Sequence, residues 1–180
     1  MLKSTAAPDF PDPSSDRMRA DPNRPAVAAD DDAEFLDALR HLFEERITFN
    51  QTLGLKVDHT SADAVQCSLR MRPDLIGHFA YGRLHGGVIS AVLDATGVLA
   101  VMAAMGARHR DKSTQRRLQR FARLGTIDLR VDYLRQALGE RFVAHGEVTR
   151  LGSRVATTRT LFCDSDGTML STGAAAYIVS

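Results

Sequence analysis

The chain has 180 residues, of which 44% are hydrophobic and 25% are charged, and its formal net charge is +1. These values are typical of one soluble globular domain, and a charge so close to zero argues against nucleic acid as a partner. The two cysteines, Cys67 and Cys163, lie in strand-like runs, which argues against a disulfide framework or zinc cluster and favours a reducing, cytoplasmic location.

Residues 1–32 are predicted to form a disordered tail. Five of the six prolines lie within the first 25 residues, and Asp, Ser and Ala fill the gaps between them. This composition is typical of segments that cannot bury a core, and the absence of a continuous apolar run argues against a secretory signal. We expect the folded domain to span residues 33–180.

An amphipathic helix is predicted over residues 33–48. Its apolar residues recur at helical spacing: Phe35, Leu36, Leu39, Leu42 and Phe43. Two strands are expected next, on either side of a turn at residues 61–63. The second strand alternates, with Val65, Cys67, Leu69 and Met71 on one face. Pro73 ends that strand, and a loop leads to the next helix.

The segment 86–105 is apolar and long enough to span a bilayer. Asp94 would then lie near the bilayer midplane, at a cost of about 3 kcal/mol. A buried helix in a soluble protein, with no transmembrane segment, is therefore expected.

An arginine-rich insert follows at about residues 106–125, with a helix over residues 113–123. Its basic residues are Arg108, Arg110, Lys112, Arg116, Arg117, Arg120 and Arg123. The insert could bind an anionic ligand, carrier protein or lipid, or it could be an amphipathic helix that simply covers a tunnel for the apolar part of a ligand.

Four runs of alternating residues complete the chain, separated by turns at 137–139, 151–153 and 164–167. Consecutive strands joined as hairpins predict an antiparallel sheet and hence an α+β fold. The long helix is apolar on nearly all sides and contains many small residues, so we expect a curved antiparallel sheet wrapped around it.

Gly86 and Gly87 stand where this central helix should begin. The first N–H groups of a helix lack internal partners, and glycine leaves them accessible to an anion or to a polarised carbonyl oxygen. The glycines could instead serve only to ease a tight turn.

Asp94 is the only acidic residue between His85 and Met105. A carboxylate among apolar neighbours is costly unless it is paired or used, and here it could act as a general base or a nucleophile. A purely structural carboxylate is the alternative.

The eight-residue separation of Gly86 and Asp94 corresponds to about 12 Å along a helix. Both groups would have to lie within a few ångström of one reacting carbon. Two antiparallel copies of the helix, related by a two-fold axis, would satisfy this requirement. The spacing therefore favours a dimer with shared sites.

The run "LHGGVISAVLDATG" within this order of elements resembles the hotdog-fold acyl-CoA thioesterases of the PaaI-like group. A second run, "RLGTIDLRVDYLR", suggests the YigI-like branch, and the resemblance covers about residues 33–179. It implies hydrolysis of an acyl-CoA by a homodimer or a dimer of dimers, with no cofactor or metal besides the coenzyme A of the substrate.

The resemblance also implies roles for individual residues. The N–H of Gly86 would polarise the thioester carbonyl, while Asp94 of the other subunit activates water or attacks. Thr126 would orient the water, and His85 would shape the turn. The substrate-binding residues implied are Gly87, His78, Phe79, Arg135, Gly152, Ser153 and Arg154. Phe79 stands where many relatives have Asn, which leaves the third polarising group open.

Two other functions stay open at this point. The domain could be an acyl-CoA-binding or sensing module without turnover, against which Asp94 argues. It could also be an acyl-thioester hydratase or dehydratase, which would need a well-placed catalytic His such as His85. The large supply of apolar side chains favours a medium or long acyl chain as the substrate.

Overall fold

The computed structural model describes the backbone of residues 29–180 and the side chains from residue 32 onward. The predicted tail falls almost entirely outside the described residues, so its disorder and its boundary stay predictions.

Four helices and eight strands make up the described part of the chain. The helices are α1 (Ala29–His41), α2 (Thr48–Leu53), α3 (Gly86–Arg108) and α4 (Thr114–Leu118). The strands are β1 (Lys56–Thr60), β2 (Ala64–Arg70), β3 (Ile76–His78), β4 (Arg83–Leu84), β5 (Gly125–Tyr133), β6 (Arg141–Leu151), β7 (Val155–Asp164) and β8 (Met169–Ile178). A π-helical turn covers Leu42–Arg46, and 3₁₀ turns cover Pro73–Leu75 and Gln119–Arg123.

Six strands form one antiparallel sheet in the order β1-β2-β6-β7-β8-β5, and α3 packs across one face of it. Alternating residues of β2 turn toward α3, with Val65, Cys67 and Leu69 at most 2% exposed. This arrangement confirms the predicted α+β class and the hotdog fold, in which a long helix is covered by a large antiparallel sheet.

The pairing of β5 differs from the prediction. The turns join β6 to β7 and β7 to β8 as hairpins, but β5 pairs with β8 at the far edge and not with β6. The connection at residues 134–140 must cross three strand spacings, about 14 Å, and seven residues can reach about 23 Å. The segment with the turn predicted at residues 137–139 therefore connects β5 to β6 across the sheet and does not form a hairpin between neighbouring strands.

The first helix and the loop before α3 also differ from their predictions. The helix begins at Ala29 instead of residue 33, and after a break at Ile47 a second helix continues to Leu53. Asn50 is buried and donates from Nδ2 to the carbonyl oxygen of Phe43, which supports this break. The predicted loop contains the β3–β4 hairpin, whose strands are too short to show a period.

Helix α3 is long and apolar enough to cross a membrane by those two criteria alone. In the structure it is the core helix, as predicted: Leu93, Leu99 and Val101 are fully buried.

The arginine-rich insert covers part of the core. Its predicted helix is present as α4 and the 3₁₀ turn that follows. Arg117 is buried, lies 3.1 Å from an oxygen of Asp32, and stacks 3.8 Å from the centre of the Phe35 ring. Phe121 packs edge-on against Phe43, with ring centres 6.1 Å apart. The observed packing is that of an amphipathic cover, while Arg116 and Arg123 remain exposed.

Gly97 allows α3 to lie directly against β8. A Cβ atom at this position would overlap the Tyr177 hydroxyl, and Tyr177 is fully buried. We expect Gly97→Ala to destabilise the fold by about 2 kcal/mol through overpacking. For a chain of this size, that corresponds to a melting temperature lowered by about 4–8 °C in thermal denaturation.

The matched control for this prediction is the double variant Gly97→Ala with Tyr177→Phe, which removes the overlapping oxygen. It should melt at a higher temperature than Gly97→Ala alone. An unchanged melting temperature for Gly97→Ala would contradict the close approach.

Candidate active site

His85 caps the start of α3 with its own side chain. Its Nδ1 accepts a hydrogen bond of 2.8 Å from the N–H of Gly87, and its own N–H donates to the Leu75 carbonyl. Because the backbone N–H must be the donor, the lone pair of Nδ1 is occupied and the ring proton is on Nε2. A Cβ atom on Gly87 would lie 2.9 Å from that Nδ1, so the turn requires glycine there.

The N–H of Gly86 has no acceptor among the described residues. Gly86 lies on a cavity of about 730 Å³ whose lining includes His85, Tyr133, Arg83 and Arg135. The guanidinium of Arg135 donates to the Met169 carbonyl at 2.8 Å. The cavity therefore brings together three of the predicted residues, His85, Gly86 and Arg135, around a free donor at the positive end of a helix.

Asp94 lies two turns further along α3 and is half-buried. Its Oδ1 accepts a hydrogen bond of 3.0 Å from the Thr126 hydroxyl, and it forms no ion pair with any described residue. The Tyr177 hydroxyl donates to the Asp94 carbonyl oxygen at 3.3 Å. Burial, with the Asp94 charge as a second cause, raises the pKa of Tyr177 well above its usual range, so this donor keeps its proton.

The two ends of β5 contact the two candidate groups on α3. Thr126, near the start of β5, contacts Asp94, while Tyr133, at its end, donates to the Gly86 carbonyl at 2.9 Å. The strand and the helix therefore run in opposite directions. Within one protomer Gly86 and Asp94 are eight residues, or about 12 Å, apart along α3, so one chain does not bring them to a common atom.

His78 and Phe79 lie on the β3–β4 hairpin. Phe79 is 93% exposed, and the His78 ring contacts the rings of Phe79 and Tyr81, with ring centres 5.4 and 4.7 Å away. Gly77 reaches the cavity, whereas neither His78 nor Phe79 is among its lining residues.

Gly152, Ser153 and Arg154 form the turn between β6 and β7, near the C-terminal end of α3. Arg108 of α3 donates to the Leu151 carbonyl there. Val155 and Gly125 flank Ile178 on neighbouring strands, so the turn lies two strand spacings, about 10 Å, from the start of β5. The turn therefore lies at the end of the sheet where Thr126 lies, and it is remote from Gly86 at the opposite end of α3.

Sequence reasoning missed Ser90 and Tyr133. The Ser90 hydroxyl donates to the Gly86 carbonyl at 2.9 Å and lies 2.7 Å from the Tyr133 hydroxyl. The four-residue spacing of Gly86 and Ser90 was a usable signal for their contact, because such residues share a helix face. No sequence pattern near Gly86 points to Tyr133, because Tyr133 lies at the end of β5, 47 residues further along the chain.

Comparison with known proteins identifies the family. Residues 81–171 match the model of the Thioesterase superfamily. The medium/long-chain acyl-CoA thioesterase YigI of Escherichia coli K12 is 34% identical over 144 residues, covering 80% of this chain and 93% of YigI. The Salmonella typhimurium YigI is 35% identical with the same coverage.

Solved structures agree with this assignment. A Shewanella oneidensis protein related to the thioesterase superfamily has a TM-score of 0.78 at 37% identity, covering 83% of this chain and 97% of that one. A protein of Syntrophus aciditrophicus has a TM-score of 0.75 at 34% identity, with coverages of 84% and 100%. Together with the fold, these matches show that the chain belongs to the thioesterase superfamily and is a thioester hydrolase.

Proposed function

We propose that the protein hydrolyses medium- or long-chain acyl-CoA thioesters to the free acid and coenzyme A. The observation that carries this proposal is the presence of two groups on one helix. The N–H of Gly86 has no acceptor among the described residues, and the Asp94 carboxylate has no cationic partner among them. The named activity of YigI supports the acyl-CoA class and the chain length.

The site is completed by a second copy of the chain across β5. This strand is an edge of the sheet and exposes Ile127 and Tyr133 by more than half. A two-fold axis midway between Thr126 and Tyr133 would pair β5 with its copy in antiparallel fashion. Thr126 would then face the partner's Tyr133, and Asp94 would face the partner's Gly86. A homodimer, or a dimer of dimers, is therefore proposed as the active form.

The reaction begins with Asp94 as general base, taking a proton from a water molecule that the Thr126 hydroxyl helps to orient. The oxygen of that water attacks the thioester carbonyl carbon, and the carbonyl π electrons move to oxygen, where the N–H of Gly86 stabilises the negative charge. Collapse of this intermediate breaks the C–S bond, and the coenzyme A thiolate takes the proton back from Asp94. Direct attack by Asp94 is the alternative chemistry for the same carboxylate.

The geometry of His85 favours hydrolysis over hydration or dehydration. A catalytic His in a hydratase needs an available lone pair, and the Nδ1 lone pair of His85 is held by the N–H of Gly87. A binding or sensing module without turnover needs no general base, whereas Asp94 has no cationic partner among the described residues and is held by the Thr126 hydroxyl. We propose no metal and no cofactor apart from the coenzyme A of the substrate, and a cytoplasmic location.

Substrate binding is proposed to involve both ends of α3. Arg135 and Gly87 lie at the N-terminal end of α3, beside the cavity. His78 and Phe79, on the adjacent β3–β4 hairpin, would cover the acyl group. The turn that contains Gly152, Ser153 and Arg154 is proposed to contact the nucleotide end of coenzyme A, because it is exposed, basic and close to Thr126.

The proposal is tested by thiol release from acetyl-, octanoyl-, lauroyl- and palmitoyl-CoA with the purified full chain. Thiol release should be fastest with the longer three. A parallel assay with an enoyl-CoA tests hydration: loss of the enoyl absorbance without thiol release would show that water is added to the double bond. Binding of acyl-CoA without either product would instead assign a sensing module.

A further inference from the structure

Three polar groups form a closed triangle on the first turn of α3. The Tyr133 and Ser90 hydroxyl oxygens each lie 2.9 Å from the carbonyl oxygen of Gly86 and 2.7 Å from one another. All three distances lie within hydrogen-bonding range. Because Tyr133 comes from β5 and the other two from α3, the triangle joins the sheet edge to the helix start.

The triangle contains fewer hydrogens than contacts. Each hydroxyl carries one hydrogen, so at most two of the three contacts can be hydrogen bonds at one time. The helix geometry already directs the Ser90 N–H toward the same Gly86 carbonyl. When the Ser90 hydroxyl donates to the Tyr133 oxygen, the Tyr133 hydroxyl can turn its hydrogen away from the Gly86 carbonyl. That carbonyl still accepts from the Ser90 N–H, so it does not lose its last hydrogen bond.

The Tyr133 hydroxyl is placed to use that freedom. Tyr133 lines the same cavity as Gly86 and is 53% exposed. Its ring lies over Gly86, since a Cβ atom built there would be 3.4 Å from the ring and 3.6 Å from the hydroxyl oxygen. The hydroxyl therefore stands beside the residue whose N–H has no acceptor among the described residues.

We propose that Tyr133, supported by Ser90, is a second hydrogen-bond donor to the thioester carbonyl oxygen, acting beside the N–H of Gly86. On substrate binding, Ser90 donates to the Tyr133 oxygen, and the hydrogen of Tyr133 turns from the Gly86 carbonyl to the substrate oxygen. No proton is transferred in this step. The inference rests on the proposed function, because it needs the thioester carbonyl to lie at Gly86.

The decisive variant is Tyr133→Phe, which keeps the ring and removes only the hydroxyl. We expect kcat to fall at least about tenfold, as for loss of one donor to a developing oxyanion. Binding gives a second readout, with two non-hydrolysable analogues. A ketone in which CH₂ replaces the thioester sulfur keeps the carbonyl, while a thioether analogue lacks it. The ketone should bind about fivefold more weakly to the variant and the thioether equally well.

Ser90→Ala tests whether the Ser90 hydroxyl assists Tyr133 by donating to its oxygen. Alone it should lower kcat about threefold, and in the Tyr133→Phe background it should have no further effect, since the two residues act as one unit. Tyr81→Phe is the matched control, because the Tyr81 hydroxyl forms no hydrogen bond with a described residue. It should leave kcat unchanged.

The outcomes separate this inference from the proposed function. If wild type hydrolyses acyl-CoA and Tyr133→Phe keeps its rate and its ketone affinity, the role of Tyr133 is wrong and the proposed function stands. Independent, additive effects of the two variants would likewise overturn the paired role. If the wild type releases no thiol from any acyl-CoA while the two analogues bind the wild type equally well, the proposed function itself fails.

Discussion

Asp94→Asn is expected to lower kcat for acyl-CoA hydrolysis by at least about 100-fold, the range seen for loss of a general base. Asparagine keeps the size of the side chain, and its amide oxygen can still accept from the Thr126 hydroxyl. It cannot take a proton from water or attack a carbonyl. Steady-state thiol release measures the effect, and circular dichroism with thermal denaturation shows that the variant is folded.

Asp63→Asn is the matched control for this substitution. Asp63 is exposed in the turn between β1 and β2, and the same change of charge there should leave the rate unaltered. A folded Asp94→Asn enzyme with a near-normal rate would move the base to another residue. His78, on the hairpin next to the cavity, would then be examined first.

Activity is expected to return when two inactive variants are refolded together. Gly86→Pro removes the polarising N–H, and Asp94→Asn removes the base. Proline is tolerated at the first position of a helix, and His85 already has the extended backbone, with ψ of 134°, that the residue before proline requires. In a mixed dimer one shared site carries both lesions and the other carries neither.

Random association should restore roughly a quarter of wild-type activity, because half of the dimers are mixed and each of those has one intact site of two. Each variant refolded alone should stay inactive. Gly86→Ala is the matched control: it keeps the N–H, and its Cβ would lie 3.4 Å from the Tyr133 ring, an ordinary contact. If mixed dimers form, as shown with two affinity tags, and no activity returns, the shared site would be falsified.

Local periodicity was enough to predict most elements of this fold. The alternation through Val65, Cys67 and Leu69 identified a half-buried strand, and the apolar run from Gly86 identified the core helix. Both patterns arise from burial on one face or on all faces of a regular element, so neighbouring residues carry the whole signal. The same reasoning singled out Asp94, because a carboxylate among buried residues is costly wherever the helix packs.

Direct contacts between distant segments were seen only in the tertiary structure, although the family resemblance had already implied Thr126 as a residue of the site. The place of β5 beside β8, the contact of Thr126 with Asp94, and the triangle formed by Tyr133, Ser90 and Gly86 all join residues more than thirty positions apart, Ser90 and Gly86 excepted. A strand has the same period whichever neighbour it pairs with, so alternation does not encode the partner. The sequence by itself therefore determined most of the elements and the two groups on α3, whereas packing of β5 against α3 decided which side chains surround those groups.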